Sequence, residues 1–229
     1  MDSNNIEFFK PNSIVNSSFS VVLAKRRGGK STLISDIAKK LFIAEKIDCC
    51  LLFSGTNSDD FPQIKKDYRF DDISKLNEII ENYKILNEYN KIADPPNRFK
   101  IKTMIILDDL LLKLKTKDFS IIQELSVNGR HVSYHPLSLH IVILAQNLMS
   151  IPRLVRNNLD YLITNQLSGR ELELVLDEYF FIIDSSREGK KIARKLYQDL
   201  VSSQDFLFIV IENHRQNVRS FPEYLKKYV

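Results

Sequence analysis

"VVLAKRRGGKSTLI", residues 21–34, is an apolar run that breaks into a cationic, glycine-containing turn and then resumes with a different apolar spacing. Val21-Val22-Leu23 has the β-branched and aliphatic character of a buried strand. The turn runs from Ala24 to Gly29, and Lys30-Ser31 opens a stretch in which Leu33, Ile34, Ile37, Ala38 and Leu41 recur at helical spacing. A loop that enters a helix presents backbone N–H groups with no intrahelical partner, at the positive end of the helix dipole. An anion, and a phosphate in particular, suits such a place.

Bulk composition sets the frame for this reading. With 229 residues, 44% hydrophobic and 27% charged, the chain can bury a core of its own and is expected to form a single domain over residues 1–229. A formal net charge of +4 leaves room for a basic face but does not by itself argue for nucleic acid. The two cysteines, Cys49 and Cys50, are adjacent, which suits neither a structural disulfide nor a metal site and points to a reducing compartment. No apolar run approaches the roughly 20 residues that span a bilayer, and the polar start "MDSNNIEFFKPNS" lacks the features of a signal peptide. A soluble, intracellular protein with no membrane insertion is the expectation.

Short apolar runs alternate with helical patterns, the rhythm of a parallel sheet covered by helices on both faces. The strands predicted are 19–24, 49–54, 104–108, 140–146 and 161–164, with a further one at 206–212. The helices predicted are 30–44, 73–89, 119–127, 170–179 and 187–202. Around Pro95-Pro96, "NKIADPPNRFK" reads as a loop, because paired prolines remove backbone donors.

The phosphate-loop pattern is a glycine, four residues, then Gly-Lys-Ser or Gly-Lys-Thr. Its lysine reaches the outer phosphates and its hydroxyl binds magnesium. Gly29, Lys30 and Ser31 match, whereas Ala24 stands where the first glycine falls. Alanine is the smallest replacement, and Gly28 beside Gly29 is expected to supply the backbone freedom that Ala24 lacks. The predicted binding loop comprises Ala24, Lys25, Arg26, Arg27, Gly28, Gly29, Lys30, Ser31 and Thr32. Such a site needs a second strand ending in an acidic residue. "TMIILDDLLLK" provides one, with Asp108-Asp109 at the end of a buried run. Parallel strands carry ligands at their carboxyl ends, so the two motifs should open on one edge. With Ser31 as the hydroxyl ligand, Asp108 would orient Mg2+ through water, and Asp109 would act as general base or polarise the attacking water.

ATP is favoured over GTP, because the chain has no Asn-Lys-x-Asp guanine-reading tetrapeptide; "TNQL" at 164–167 lacks both lysine and aspartate. A third apolar run, "LHIVILAQN", ends in Gln146-Asn147. The Gln146 amide both donates and accepts, so it can position a water or sense the outermost phosphate. Before that run, "NGRHVSYHP" carries Arg130 and His131 between a helix and a strand. After it, "IPRLVRNN" carries Arg153 and Arg156.

A phosphate loop, "ILDD", "GRH", "ILAQN" and "IPRLVRNN" follow one another in an order that resembles the genome-packaging ATPases of large double-stranded DNA viruses, the poxvirus-like branch of the FtsK–HerA superfamily. The resemblance covers roughly residues 15–165, and weakly "DFLFIVIENH" beyond. Ala24 and Asp109 stand where that superfamily more often has Gly and Glu. The resemblance implies an α/β P-loop NTPase fold with an extra strand between the phosphate-loop strand and the acidic strand, a role that falls to 140–146. It also implies a homo-oligomeric ring that hydrolyses ATP to move double-stranded DNA, without reading its sequence, into a viral capsid, with the capsid or its portal vertex as partner. The expected location is the host cytoplasm, where virions assemble, or the virion itself. An arginine from the neighbouring subunit completes each site in that family, and the role carries over to Arg130 first and Arg156 second.

A DNA motor grips phosphates rather than bases. The segments that could do so are "LLLKLKTK", with Lys113, Lys115 and Lys117, and "SSREGKKIARK", with Arg187, Lys190, Lys191, Arg194 and Lys195. Two other classes fit the same motifs. One is a P-loop small-molecule kinase in which "SSREGKKIARK" is a lid; the other is an ATP-gated assembly protein with little turnover.

Overall fold

The computed structural model describes residues 6–55, 60–110, 116–132, 136–180, 186–205, 207–215 and 223–229. In chain order the elements are β1 (Phe19–Leu23), α1 (Lys30–Ile43), β2 (Cys49–Ser54), β3 (Arg69–Phe70), α2 (Ser74–Ile92), β4 (Lys102–Asp108), α3 (Thr116–Val132), β5 (Ser138–Ala145), α4 (Arg153–Asn157), β6 (Tyr161–Thr164), α5 (Gly169–Tyr179), α6 (Arg187–Ser202), β7 (Phe208–Glu212) and β8 (Leu225–Tyr228). The strands form one sheet of order β3-β2-β4-β5-β1-β6-β7-β8. The strands from β3 to β6 are mutually parallel, and β7 and β8 close the far edge antiparallel.

β5 lies between β1 and β4, in the position expected of the extra strand. It pairs with β1 from Phe19↔Ile141 to Leu23↔Ala145, and with β4 from Lys102↔Ser138 to Asp108↔Leu144. All three strands are buried on both faces, which is why they read as unbroken apolar runs rather than as alternating ones.

The pleat sorts their side chains into two cores. Val21, Leu23, Ile105, Leu107, Ile141 and Ile143 face one layer, where Leu76 and Ile80 of α2, Ile122 and Leu125 of α3, Val155 of α4, Val175 and Leu176 of α5 and Leu196 of α6 cover them. Val22, Met104, Ile106, Val142 and Leu144 face the other, where α1 contributes Leu33, Ile34, Ile37, Ala38 and Leu41. Helices therefore cover both faces as predicted, but unequally: among the described residues, α1 alone lies on its side. It shares that face with Phe9 and Ile14 at one flank and Phe61 and Ile64 at the other. Full burial of Leu41 is worth about 1.5–3 kcal/mol.

Several boundaries move relative to the sequence reading. β3, with two residues, is too short to leave a period. β8 reads "LKKY", yet Lys226 is buried and its ammonium pairs with Glu7 at 2.8 Å. The predicted helix 119–127 extends to Val132, so Arg130 and His131 belong to the last turns of α3 and not to a connection. Gly129 does not stop it, since one glycine costs only about 1 kcal/mol in a helix interior. From Arg187 onward the "SSREGKKIARK" segment forms the first turns of α6, whose Ala193, Leu196, Tyr197 and Leu200 are buried in the main core.

At the edge opposite the phosphate loop, His140 on β5 is only 1% exposed. Its Nδ1 lies 2.9 Å from Ser18 Oγ and its Nε2 3.1 Å from Ser138 Oγ. Burial pushes its pKa down to about 4 from the usual 6.5; the Lys46 charge adds to the shift and a hydrogen bond with the Lys46 backbone opposes it. The unfolded chain therefore takes up a proton that the folded chain refuses. This contribution is complete above pH 6.5 and is lost as pH falls toward 4, on the order of 3 kcal/mol in all. Asp108, described below, titrates in the opposite sense, so the test is a difference between variants. The urea midpoint of His140→Asn should fall less between pH 7 and pH 5 than that of the parent chain; an equal fall in both would remove the assignment.

Candidate active site

The turn after β1 is built by close packing. Ala24 is fully buried, its N–H continues the sheet to Ala145 O at 3.2 Å, and its methyl joins the core under α1. The Gly28 N–H donates to Lys25 O at 3.0 Å. A Cβ on Gly28 would lie 2.9 Å from Lys25 O and 3.1 Å from Ala24 Cβ, so this position needs glycine for space. The left-handed residues are instead Arg27 (φ 60°) and Gly29 (φ 80°), the latter capping α1. Gly28 thus supplies room beside the Ala24 methyl rather than the backbone freedom expected of it. Lys25, Arg26, Arg27 and Thr32 are exposed; Gly29, Lys30 and Ser31 are half-buried.

Lys30, in the first turn of α1, folds its ammonium back on the loop, donating to Ala24 O at 2.9 Å and Lys25 O at 3.0 Å. Burial lowers its pKa, against the opposing pull of Asp108 and Asp109. Asp108 ends β4 in the set Met104, Ile106, Asp108, which faces α1, so parity alone turns its carboxylate toward the loop. Ser54, a residue the sequence reading passed over, lies beside it in register on β2. Burial and the neighbouring Asp109 push the Asp108 pKa up to about 6; Lys30 opposes the shift and Asp60 reinforces it.

Asp109 is exposed and left-handed (φ 50°), an unusual state for a residue with a side chain. Gln146, one residue past β5, donates Nε2 to Asp109 Oδ1 at 3.2 Å. The predicted phosphate loop, acidic pair and glutamine therefore meet at one edge of the sheet. A buried carboxylate whose pKa is raised by burial and by Asp109, with the Ser31 hydroxyl at the helix start, suits Mg2+ arriving with a phosphate ligand. Among the described residues no group of three or more His, Cys, Asp or Glu could hold a metal without such a ligand.

One contact had only a faint signal in the sequence. Asn165, just past β6, donates Nδ2 to Gly28 O at 2.8 Å. "TNQL" draws attention only for failing to read guanine, because the adjacency of β6 and β1 is not written locally.

The two arginines fare differently. Arg156 is buried, with its guanidinium 2.6 Å from Glu178 and its carbonyl accepting from Tyr179 OH at 2.9 Å. It joins α4 to α5 and is not presented to a neighbour, so the reserve role assigned to it does not fit. Arg130 belongs to α3, and its side chain lies outside the described residues. Lys113 and Lys115 also lie outside them. On α6, Lys190 pairs with Asp177, Lys191 with Glu188 and Arg194 with Glu173. These cations are partly neutralised, and exposed pairs of this kind contribute little to stability.

No protein-family model matches the chain. It is 24% identical over 212 residues to uncharacterized protein L649 of Acanthamoeba polyphaga mimivirus, covering 92% of this chain and 66% of that protein. The fold is similar to that of B204, the DNA-packaging ATPase of Sulfolobus turreted icosahedral virus, with a TM-score of 0.61, 13% identity, and coverage of 94% and 98% of the two chains. The genome-packaging NTPase B204 of Sulfolobus turreted icosahedral virus 2, in complex with ATP-gammaS, gives 0.57, 15%, 96% and 98%. The pCW3 conjugation coupling protein TcpA gives 0.57, 11%, 93% and 60%. At these identities the likeness is one of fold, and the fold is that of P-loop NTPases.

The two carboxylates should separate by role. Asp109→Asn should retain Mg-ATP binding and turn over at least about a hundredfold more slowly, the scale of losing a general base. Asp108→Asn should lose the Mg2+-dependent part of binding instead. Normal hydrolysis by Asp109→Asn would transfer water activation elsewhere.

Proposed function

We propose that the chain is an ATP-hydrolysing motor subunit that moves double-stranded DNA into a viral capsid. The observation that carries this reading is the meeting of Lys30, Asp108, Asp109 and Gln146 at one sheet edge, with Gln146 delivered by the strand inserted between the other two motifs. A loop and acid pair alone fit many phosphate-transferring enzymes. A glutamine amide already bonded to the candidate base gives the site a way to sense the outermost phosphate.

The chemistry then follows from the residues. Lys30 exchanges the Ala24 and Lys25 carbonyls for phosphate oxygens and neutralises charge there. Ser31 and Asp108 would hold Mg2+, which when bound would supply positive charge that stabilises phosphoryl transfer. Mg2+ also favours the ionised form of Asp108, so Mg-dependent binding should weaken as pH falls through about 6. Asp109 takes the proton of the attacking water, and Gln146 orients both.

Within a ring of identical subunits, Arg130 of one subunit completes the site of the next. The ring sits at the portal vertex of the capsid, in the host cytoplasm or on the virion, and its basic residues hold duplex DNA by the backbone.

ATP turnover with and without long duplex DNA tests the reading. Stimulation should be independent of DNA sequence and should fade with salt as backbone contacts lose their counterion-release advantage. Lys30→Ala should abolish hydrolysis with the fold intact. Phosphorylation of a nucleoside or nucleotide acceptor would favour the kinase class, and binding with negligible turnover the assembly protein.

Arg130→Ala should bind ATP and hydrolyse it on the order of a thousandfold more slowly, the scale of a lost transition-state arginine. Mixed with Lys30→Ala subunits, each inactive alone, it should regain part of the activity. Full activity in an Arg130→Ala monomer would overturn the trans arrangement.

A further inference from the structure

We propose that Asn165 is a positioning residue for the phosphate loop, held in place by Tyr197 of α6; the inference rests on the reading that this loop binds ATP. β6 runs parallel to β1 with Leu23↔Thr164 in register, so the residue after β6 emerges beside the first residue of the loop. From there Asn165 Nδ2 donates to the Gly28 carbonyl at 2.8 Å. A carbonyl can only accept, so the orientation of the Asn165 amide is set by chemistry. A trans peptide turns its C=O and N–H to opposite sides. Holding the Gly28 oxygen toward β6 therefore sends the N–H of Gly29, the residue that caps α1, the other way. The bond thus fixes the direction of a donor at the mouth of the helix, where a phosphate would be received.

The same segment reaches the loop a second time, through Ser168 Oγ, which accepts from Lys25 Nζ at 3.3 Å. It is itself anchored from behind. The Tyr197 hydroxyl donates to the Asn165 carbonyl and accepts from Leu167 N–H at 3.3 Å. Tyr197 is fully buried, with its ring edge-on to Phe180 at a centroid distance of 6.2 Å. The path from α6 to the phosphate loop is thus two hydrogen bonds long.

The test uses the full chain and measures the Kd for Mg-ATP, kcat, KM and Tm. One hydrogen bond to the loop is worth about a tenfold change in affinity. Asn165→Ala should therefore raise Kd and KM about tenfold, with kcat within about twofold and Tm almost unchanged, because the side chain is half-exposed. Asn165→Gln, which keeps the amide, should recover part of the loss. Tyr197→Phe, which removes only the hydroxyl, should weaken ATP in the same direction by about threefold, and should add nothing in the Asn165→Ala background.

An unchanged Kd in Asn165→Ala overturns the inference, as does a loss of affinity that Asn165→Gln fails to relieve. If Asn165→Ala does not fold, Tyr197→Phe decides: weakened ATP supports the inference and unchanged ATP removes it. Lys30→Ala separates this outcome from the broader one. If that variant loses ATP while Asn165→Ala keeps it, only the positioning role falls. If Lys30→Ala binds ATP like the parent, the phosphate-loop reading falls and the inference with it.

Discussion

The parallel insertion of β5 between β1 and β4 is the constraint on which the site depends. Adjacent strands lie about 4.8 Å apart, so one inserted strand holds the phosphate loop and the acidic pair roughly 10 Å apart across the sheet. Only a long side chain or a ligand bridges that gap. Lys30 approaches it from α1, and the space between is filled by the end of β5, which carries Gln146. Parallel pairing does the rest: every strand from β2 to β6 ends at the same edge, so residues far apart in the chain arrive there together.

That edge holds its charges under tension. The Asp108 carboxylate is buried beside a second carboxylate, and Lys30 does not fully compensate for either effect. Asp109 adopts a left-handed backbone conformation that aspartate tolerates better than most residues with a side chain. Lys30, for its part, spends its hydrogen bonds on carbonyls of its own loop. The proposed magnesium–phosphate ligand would offer a cation to Asp108 and phosphate oxygens to Lys30 in place of its own loop carbonyls.

The sheet faces are covered unequally, with consequences for how motion could travel. Among the described residues α1 is the one helix over the loop side, and a cleft of about 820 Å³ runs beside it from Thr32 to Ile43 and Tyr68. α2 to α6 form the opposite layer and are joined by buried contacts such as Arg156 with Glu178. The loop meets that heavier layer through Asn165, whose side chain donates to Gly28 O and whose carbonyl accepts from Tyr197 of α6.

The apolar runs of β1, β4 and β5 and the helical spacing of α1, α5 and α6 were legible because each element is decided by residues close together in the chain. The same locality exposed Lys30, Asp108 and Gln146, whose places at strand or helix ends follow from where the runs stop. It could not show that two residues at Arg69–Phe70 pair with β2, or that "LKKY" is a strand with a buried lysine, since partners elsewhere in the sheet stabilise both. Nor could it separate Arg156, buried in an ion pair, from a presented arginine, because burial depends on what packs above. Asn165 is the sharpest case: its partner Gly28 is 137 residues away. A hydrogen bond across that distance exists only once β6 has taken its place beside β1, and strand order is settled by the packing of the whole sheet rather than by any stretch of sequence.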